Sequence, residues 1–250
     1  MLDQQAIFFM KSIPFFSGLP AADEERLYQL SSIHDYTKGD HVFLRGDKAQ
    51  SFYIVMGGWV KLYRDTHEGD EAVLGLMTRT DIFGDMAIFN GEIHPFSAQV
   101  VENAKIISIP ADILKSSTYS NPEIMTRIMQ SFAQQMNRLQ LENEHLSVMS
   151  APQRVGCLLL QLSGGTERQS QTIRLPYEKS LAASRLGMKP ETFSRALGQL
   201  KDLGIKVNGD MVEVKNIHAL AQFVCSDCSA CDQDCKFSGM HQCEGNRSKA

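Results

Sequence analysis

The sequence predicts an α+β fold: an N-terminal antiparallel β-roll, one long helix, and a C-terminal winged helix-turn-helix. Three observations carry this expectation. Between about 33 and 110, short β-branched and aromatic runs alternate with Gly- and Asp-containing turns. After Asn121-Pro122, apolar residues recur every three or four positions for about 25 residues. Beyond Pro152, two helical segments are punctuated by Gly187 and Pro190 and followed by a hairpin signal.

Taken in order, short segments near 5–31 read as helical, best at ADEERLYQL. HVFLRGD, SFYIVMGGWVKLYRD, EAVLGLM and SAQVVENAKIISIP then read as strands, separated by KGD, EGDE and NGE, and they suit a roll or barrel. In the long helix, Met125, Ile128, Phe132, Met136, Leu139 and Leu146 form one narrow apolar stripe opposite Gln130, Gln134, Asn137, Arg138, Gln140 and Glu144. So narrow a stripe suits a seam between two helices, and it predicts a homodimer. The alternative is packing on the chain's own roll. The expected domains are 1–120 (roll), 121–150 (dimerisation helix), 151–220 (helix-turn-helix and wing) and 221–250 (a cysteine-rich tail).

In YEKSLAASRLGMKPETFSRALGQLKDLG, Gly187 suits a left-handed C-cap, and Pro190 suits the first position of the next helix. So short a turn makes a helix-turn-helix. Phe193, Ala196, Leu197 and Leu200 share the core side of the second helix. Glu191, Ser194 and Arg195 share the other side, near the end that enters the major groove in this motif. Residues 176–206 hold six Lys/Arg against three Asp/Glu, a local +3 in a chain of net charge −4. Phosphate affinity is therefore concentrated there. Glu191 suits cytosine N4, and Arg195 suits guanine O6 and N7. The two also stand at i,i+4, where an ordinary ion pair is the plain alternative, or a way to hold Arg195 ready. IKVNGDMVEVKN, turning at Asn208-Gly209-Asp210, reads as the wing.

With SRLGMKPETFSRAL in this setting, about residues 10–220 resemble the Crp/Fnr family of bacterial transcription regulators. The spacing of Glu191, Ser194 and Arg195 resembles the Fnr-type recognition helix. The resemblance implies a homodimer on double-stranded DNA, at a palindrome of TTGAT-like half-sites. Arg195 would read the G, Glu191 the paired C and Ser194 the neighbouring thymine region, with Thr192 on a phosphate. RNA polymerase is the implied protein partner.

In that family the roll can hold a cyclic nucleotide, through Gly-Glu for the ribose and Arg-Ser-Ala for the phosphate. Here the two parts read Phe83-Gly84-Asp85 and Pro95-Phe96-Ser97-Ala98. Phe96 stands in the place of the phosphate-binding arginine, and a buried phosphate without a cation is heavily penalised. Cyclic AMP is not expected. Related dimers use such an apolar roll for haem, and SFYIVMGGWVKLYR with EGDEAVL resembles the nitric-oxide-responsive branch. His34, His41, His67, His94 and His145 are then the conceivable axial ligands.

Five of six cysteines lie in the last twenty-six residues. Cys225, Cys228, Cys231 and Cys235 match the spacing of the bacterial ferredoxin run, which suits a 4Fe-4S cubane. Lys236 departs from it, since proline follows there in ferredoxins. Cys243 or a residue of another segment is therefore a rival fourth ligand. In the Fnr branch the cluster cysteines precede the roll, yet residues 1–30 contain none. The chain looks more like relatives that carry them after the DNA-binding domain. An iron–sulfur cluster is the favoured reading. Structural zinc, perhaps with His241, and a tail of redox-active thiols remain open. Cys157 reads as a core residue.

Hydrophobic content of 43% and charged content of 22% are those of a soluble globular protein, and no apolar run spans a membrane. MLDQQAIFFMKSIPFF does not resemble a secretory signal, so a cytoplasmic location with reduced thiols is expected. No Walker loop, Rossmann glycine pattern or Ser–His–Asp arrangement points to an enzyme. An iron–sulfur electron carrier is the alternative of another class, and the helix-turn-helix weighs against it.

Overall fold

The computed structural model describes residues 2–16, 19–67, 69, 71–113, 115, 122–163, 170–175 and 178–225, without the side chains of residues 123, 124, 138 and 225. The chain divides into two compact units, Met1–Gln135 and Met136–Ala250. The division falls inside the long helix.

In the first unit, helices α1 (Gln4–Lys11) and α2 (Ala21–Leu30) precede the roll. Asp3 caps α1 by accepting from the Ala6 N–H at 2.7 Å, which satisfies one of the helix's open donors. The strands are β1 (Ser32–Tyr36), β2 (His41–Phe43), β3 (Ser51–Asp65), β4 (Glu71–Met77), β5 (Ile82–Phe83) and β6 (Ser97–Pro110). They make one antiparallel sheet ordered β1-β6-β3-β4, with β2 also on β6 and β5 also on β3. The two long strands form its spine, registering Ile54 opposite Ile107 and Leu62 opposite Ala98.

Gly58, at φ +83°, lets β3 bend against β6: a Cβ there would lie 2.2 Å from the Asn103 carbonyl oxygen. One face of the roll packs on the N-terminal helices through Phe52, Ile54, Ile107 and Ile109, against Phe9, Met10 and Leu27. The other holds Phe43, Val55, Val60, Leu62, Phe83 and Ile106. Between β5 and β6 sits the short helix α3 (Asp85–Phe89).

Helix α4 (Pro122–Val148) follows. Its apolar stripe is split. Ile128 is 3% exposed and belongs to the roll's core, and Phe132 packs on the same core with its ring 6.0 Å from Phe89. These two expected interface residues therefore serve their own chain, because α4 begins alongside the roll. Met125, Met136, Leu139 and Leu146 stay exposed, joined by Met129 and Val148.

The second unit contains α5 (Ala151–Leu162), β7 (Gln171–Arg174), α6 (Lys179–Arg185), α7 (Pro190–Gln199), β8 (Ile205–Asn208), β9 (Met211–Val214) and α8 (Ile217–Cys225). Its sheet is ordered β7-β9-β8. Helix α5 packs on both α7 and α8. Leu158, Leu159 and Leu160 are buried there, whereas Cys157 is only half-buried, with Gln161 Nε2 donating to its sulfur at 3.6 Å. The core role expected of Cys157 is therefore met only in part: Val155, Gly156 and Leu158 to Leu160 take buried positions of α5, and the thiol lies at their edge.

Candidate nucleic-acid interface

Helices α6 and α7 meet across residues 186–189. Gly187 is at φ +61°, and the Met188 N–H returns to the Ala183 carbonyl at 3.0 Å, closing the end of α6. A side chain at Gly187 would be strained by its backbone and would meet Leu146 Cδ2 at 3.2 Å. Pro190 takes the first turn of α7, where its missing N–H costs nothing.

The faces of α7 separate sharply. Phe193 is fully buried, and Ala196, Leu197 and Leu200 lie beside it in the core. Glu191, Ser194 and Arg195 are exposed, and Thr192 is half-buried at the edge. The i,i+4 ion pair weighed for Glu191 and Arg195 is not made among the described residues. Arg195 Nε instead donates to the Glu191 backbone carbonyl at 3.4 Å, which leaves the carboxylate turned to solvent. A long, weak bond of this kind holds the guanidinium without consuming its outer donors.

The local charge is also redistributed. Arg185 is not spent on solvent: its Nη2 donates to Glu142 Oε1 of α4 at 3.1 Å. Lys179, Lys189, Arg195, Lys201 and Lys206 remain exposed, against exposed Glu178, Glu191 and Asp202. The wing turns through Gly209 at φ +63° and Asp210, as a two-residue hairpin with glycine first requires. Arg174 Nε donates to Asp210 Oδ2 at 2.9 Å, tying β7 to this turn and holding the Asp210 carboxyl below its usual range.

Inside the roll, Phe83 and Phe96 of the two cassette segments lie in a cluster of rings. His94, 1% exposed, stacks on Phe43 at 3.6 Å, within a cluster that includes Tyr53, Phe83 and Phe96. Its Nδ1 is buried without a hydrogen-bond partner among the described residues, and burial lowers its pKa. Burial also pushes the Tyr53 hydroxyl up to about 12. Gly84, at φ +81°, permits the close approach: a Cβ there would meet Tyr53 Cδ2 at 3.2 Å and His94 Cε1 at 3.3 Å. The neighbouring Asp85 is almost wholly buried, which raises its pKa, and Gln135 Nε2 donates to its Oδ2 at 3.4 Å.

Among the described residues, no group of three His, Cys, Asp or Glu is arranged to hold a metal ion. His34 instead bonds Ser32 Oγ at 2.9 Å, and His41 bonds the Tyr63 hydroxyl at 3.0 Å. Cys228, Cys231, Cys235, Cys243 and His241 lie outside the described residues. Cys225 is placed only by its backbone, at the end of α8. No described helix is long and apolar enough to cross a membrane. Sequence reasoning missed β7, α8 and the Arg185–Glu142 bond. The mixed polarity of EVKNIHALAQFVC could have signalled α8, whereas nothing local marks the bond.

A roll, a long helix and a helix-turn-helix with an exposed acid, hydroxyl and guanidinium define a DNA-binding transcription regulator. Comparison with known proteins agrees. Residues 33–117 match the cyclic nucleotide-binding domain, and residues 153–223 match the Crp-like helix-turn-helix domain. The chain is 30% identical over 208 residues to the fumarate and nitrate reduction regulatory protein of Yersinia pestis, covering 80% of this chain and 83% of that one. It is 28% identical over 213 residues to the CRP-like cAMP-activated global transcriptional regulator of Mycobacterium tuberculosis, covering 83% and 94%. The solved structure of FixK2 from Bradyrhizobium japonicum has the same fold, with a TM-score of 0.69 at 20% identity over 77% of this chain and 96% of that one. The chain belongs to the Crp/Fnr family of transcription regulators, whose members bind DNA, are generally dimeric and are not enzymes.

Proposed function

We propose that this chain is a homodimeric regulator that reads a palindrome of TTGAT-like half-sites and responds to oxygen, nitric oxide or redox state through an iron–sulfur cluster on its tail. The observation that carries the reading is the exposure of Glu191, Ser194 and Arg195 on the N-terminal half of α7, backed by a buried Phe193. Arg195 bonds guanine O6 and N7, Glu191 accepts from the paired cytosine N4, Ser194 faces the neighbouring thymine and Thr192 contacts a phosphate. The dimer seam runs along Met125, Met129, Met136, Leu139 and Leu146 of α4, in which Met125, Leu139 and Leu146 stand at multiples of seven residues. RNA polymerase is the expected partner on DNA, and the cytoplasm is the expected compartment.

Four of Cys225, Cys228, Cys231, Cys235 and Cys243 fit a 4Fe-4S cluster by the chemistry of the donor set: thiolates, the first four only three or four residues apart in turn, each able to reach a different iron. Such a cluster supplies reactivity toward oxidants, which releases thiolate ligands. Cyclic AMP is not the expected effector, because Phe96 stands at the sequence position of the phosphate-binding arginine, and a buried phosphate without a cation is heavily penalised.

The test is a gel-shift assay under strict anaerobiosis, with iron and sulfide measured on the same sample. The wild type is expected to be brown, to shift the palindrome selectively and to lose affinity in air, with no response to cyclic AMP. Arg195→Ala should lose selectivity by about 1–3 kcal/mol per half-site. Undiminished selectivity sinks the base-reading assignment. Colourless protein with one zinc per chain sinks the cluster.

A further inference from the structure

The junction between α4 and α5 is two residues long, Met149 and Ser150, and it is held by one side chain. Ser150 and Gln153 form a capping box, in which Gln153 Oε1 accepts from the Ser150 N–H at 2.9 Å and from its hydroxyl at 2.7 Å. The other end of the same carboxamide is used elsewhere. Its Nε2 donates to the Phe223 carbonyl at 3.4 Å, in the last turn of α8. Gln153 is 7% exposed, so bulk water is not at hand to replace a lost partner.

The last turn of α8 is also seated by shape. A Cβ at Gly156 would lie 2.5 Å from Val224 Cγ2 and 3.1 Å from Leu220 Cδ1, so only glycine admits this approach of α8 to α5. The next residue is Cys225, the first cysteine of the tail. On the far side of the junction, the end of α4 holds the helix-turn-helix through Glu142–Arg185 and through Leu146 beside Gly187. One buried carboxamide thus spans the last turn of α8 and the α4–α5 junction.

We propose that Gln153 is the positioning residue that carries the state of the tail to the α4–α5 junction. The inference rests on the tail binding a thiolate-ligated group, as argued above. Restraint of the tail holds the Phe223 carbonyl on Nε2 and keeps Oε1 aimed at Ser150. Release of the tail lets the last turn of α8 fray. The carboxamide then turns, the cap of α5 loosens, and α6 and α7 change their pose relative to α4.

Gln153→Glu separates the two ends: its carboxylate still accepts from Ser150 but cannot donate to Phe223. The readout is amide hydrogen exchange over residues 148–155 in the full chain, anaerobically and after air. In the wild type, air should speed exchange about tenfold. In Gln153→Glu it should do so less than twofold, at unchanged iron content. Equal acceleration in both overturns the inference while leaving the sensor standing. If Gln153→Glu does not fold, Gly156→Ala, which displaces Val224, is judged by the same rule. If the wild type holds neither iron nor sulfide, the cluster reading fails and the coupling is tested separately. Carboxymethylation of the tail thiols in a Cys157→Ser background should then speed exchange with Gln153 present and not with Glu. An equal response again overturns it.

Discussion

Arg185, the last residue of α6, donates to Glu142 of α4 at 3.1 Å, with both side chains largely shielded. The bond fixes the first helix of the motif to the C-terminal half of α4, so one of six local cations is structural.

Exchanging either partner should therefore weaken the unit without touching a DNA-facing residue. A double-mutant cycle with Arg185→Ala and Glu142→Ala, read by chemical denaturation, should give a coupling of about 0.5–1 kcal/mol. Arg185→Ala should also lower DNA affinity with little change in its dependence on salt, since this cation is not spent on phosphate.

Gly187→Ala should cost more than either. A left-handed backbone costs a non-glycine residue about 1–2 kcal/mol, and the new methyl meets Leu146 Cδ2 at 3.2 Å. Thermal melting should fall, and gel-shift affinity should fall with it.

The split stripe of α4 makes a contrast. Met136→Glu with Leu139→Glu should yield monomers in sedimentation while the roll keeps its melting temperature, because both residues are exposed. Ile128→Ala should leave association intact but destabilise the roll by about 2–4 kcal/mol, because it empties a core position.

Two buried groups in the roll titrate in opposite senses. Burial lowers the pKa of His94 from 6.5, so the unfolded chain binds its proton first. The stability linked to His94 is complete above about pH 6.5 and is lost as pH falls through the lower folded value. Burial raises the pKa of Asp85 from 3.8, so its contribution is complete below that value and is lost as pH rises through the folded one. His94→Phe should flatten the acid limb and raise neutral stability by about 1 kcal/mol by removing a buried Nδ1 that has no hydrogen-bond partner among the described residues. Asp85→Asn should help at pH 7 and not at pH 3. Denaturation curves across pH check both.

Much of this was legible in residue order. The three long strands fall at 51–65, 71–77 and 97–110, where alternation and turn residues placed them, and α4 begins at Pro122. Gly187 and Pro190 bound the turn of the motif, because left-handed backbone and a missing N–H are properties of single residues. The faces of α7 followed from helical period alone. Strand β5 and helix α3 were not legible, since two to five residues carry too little pattern. Nor was Cys157, whose apolar neighbours said nothing about which flank of α5 is covered.

The sequence by itself determined the long strands of the roll, the long helix, the helix-turn-helix with its hairpin, the outward set Glu191, Ser194 and Arg195, and the thiol spacing of the tail. Those follow from local periodicity and residue chemistry. Only the tertiary structure decided that Ile128 and Phe132 belong to the roll, that Arg185 is held by Glu142, and that Gln153 touches both Ser150 and Phe223. Each of these depends on which distant segments are brought together, and chain order does not encode that in any one stretch.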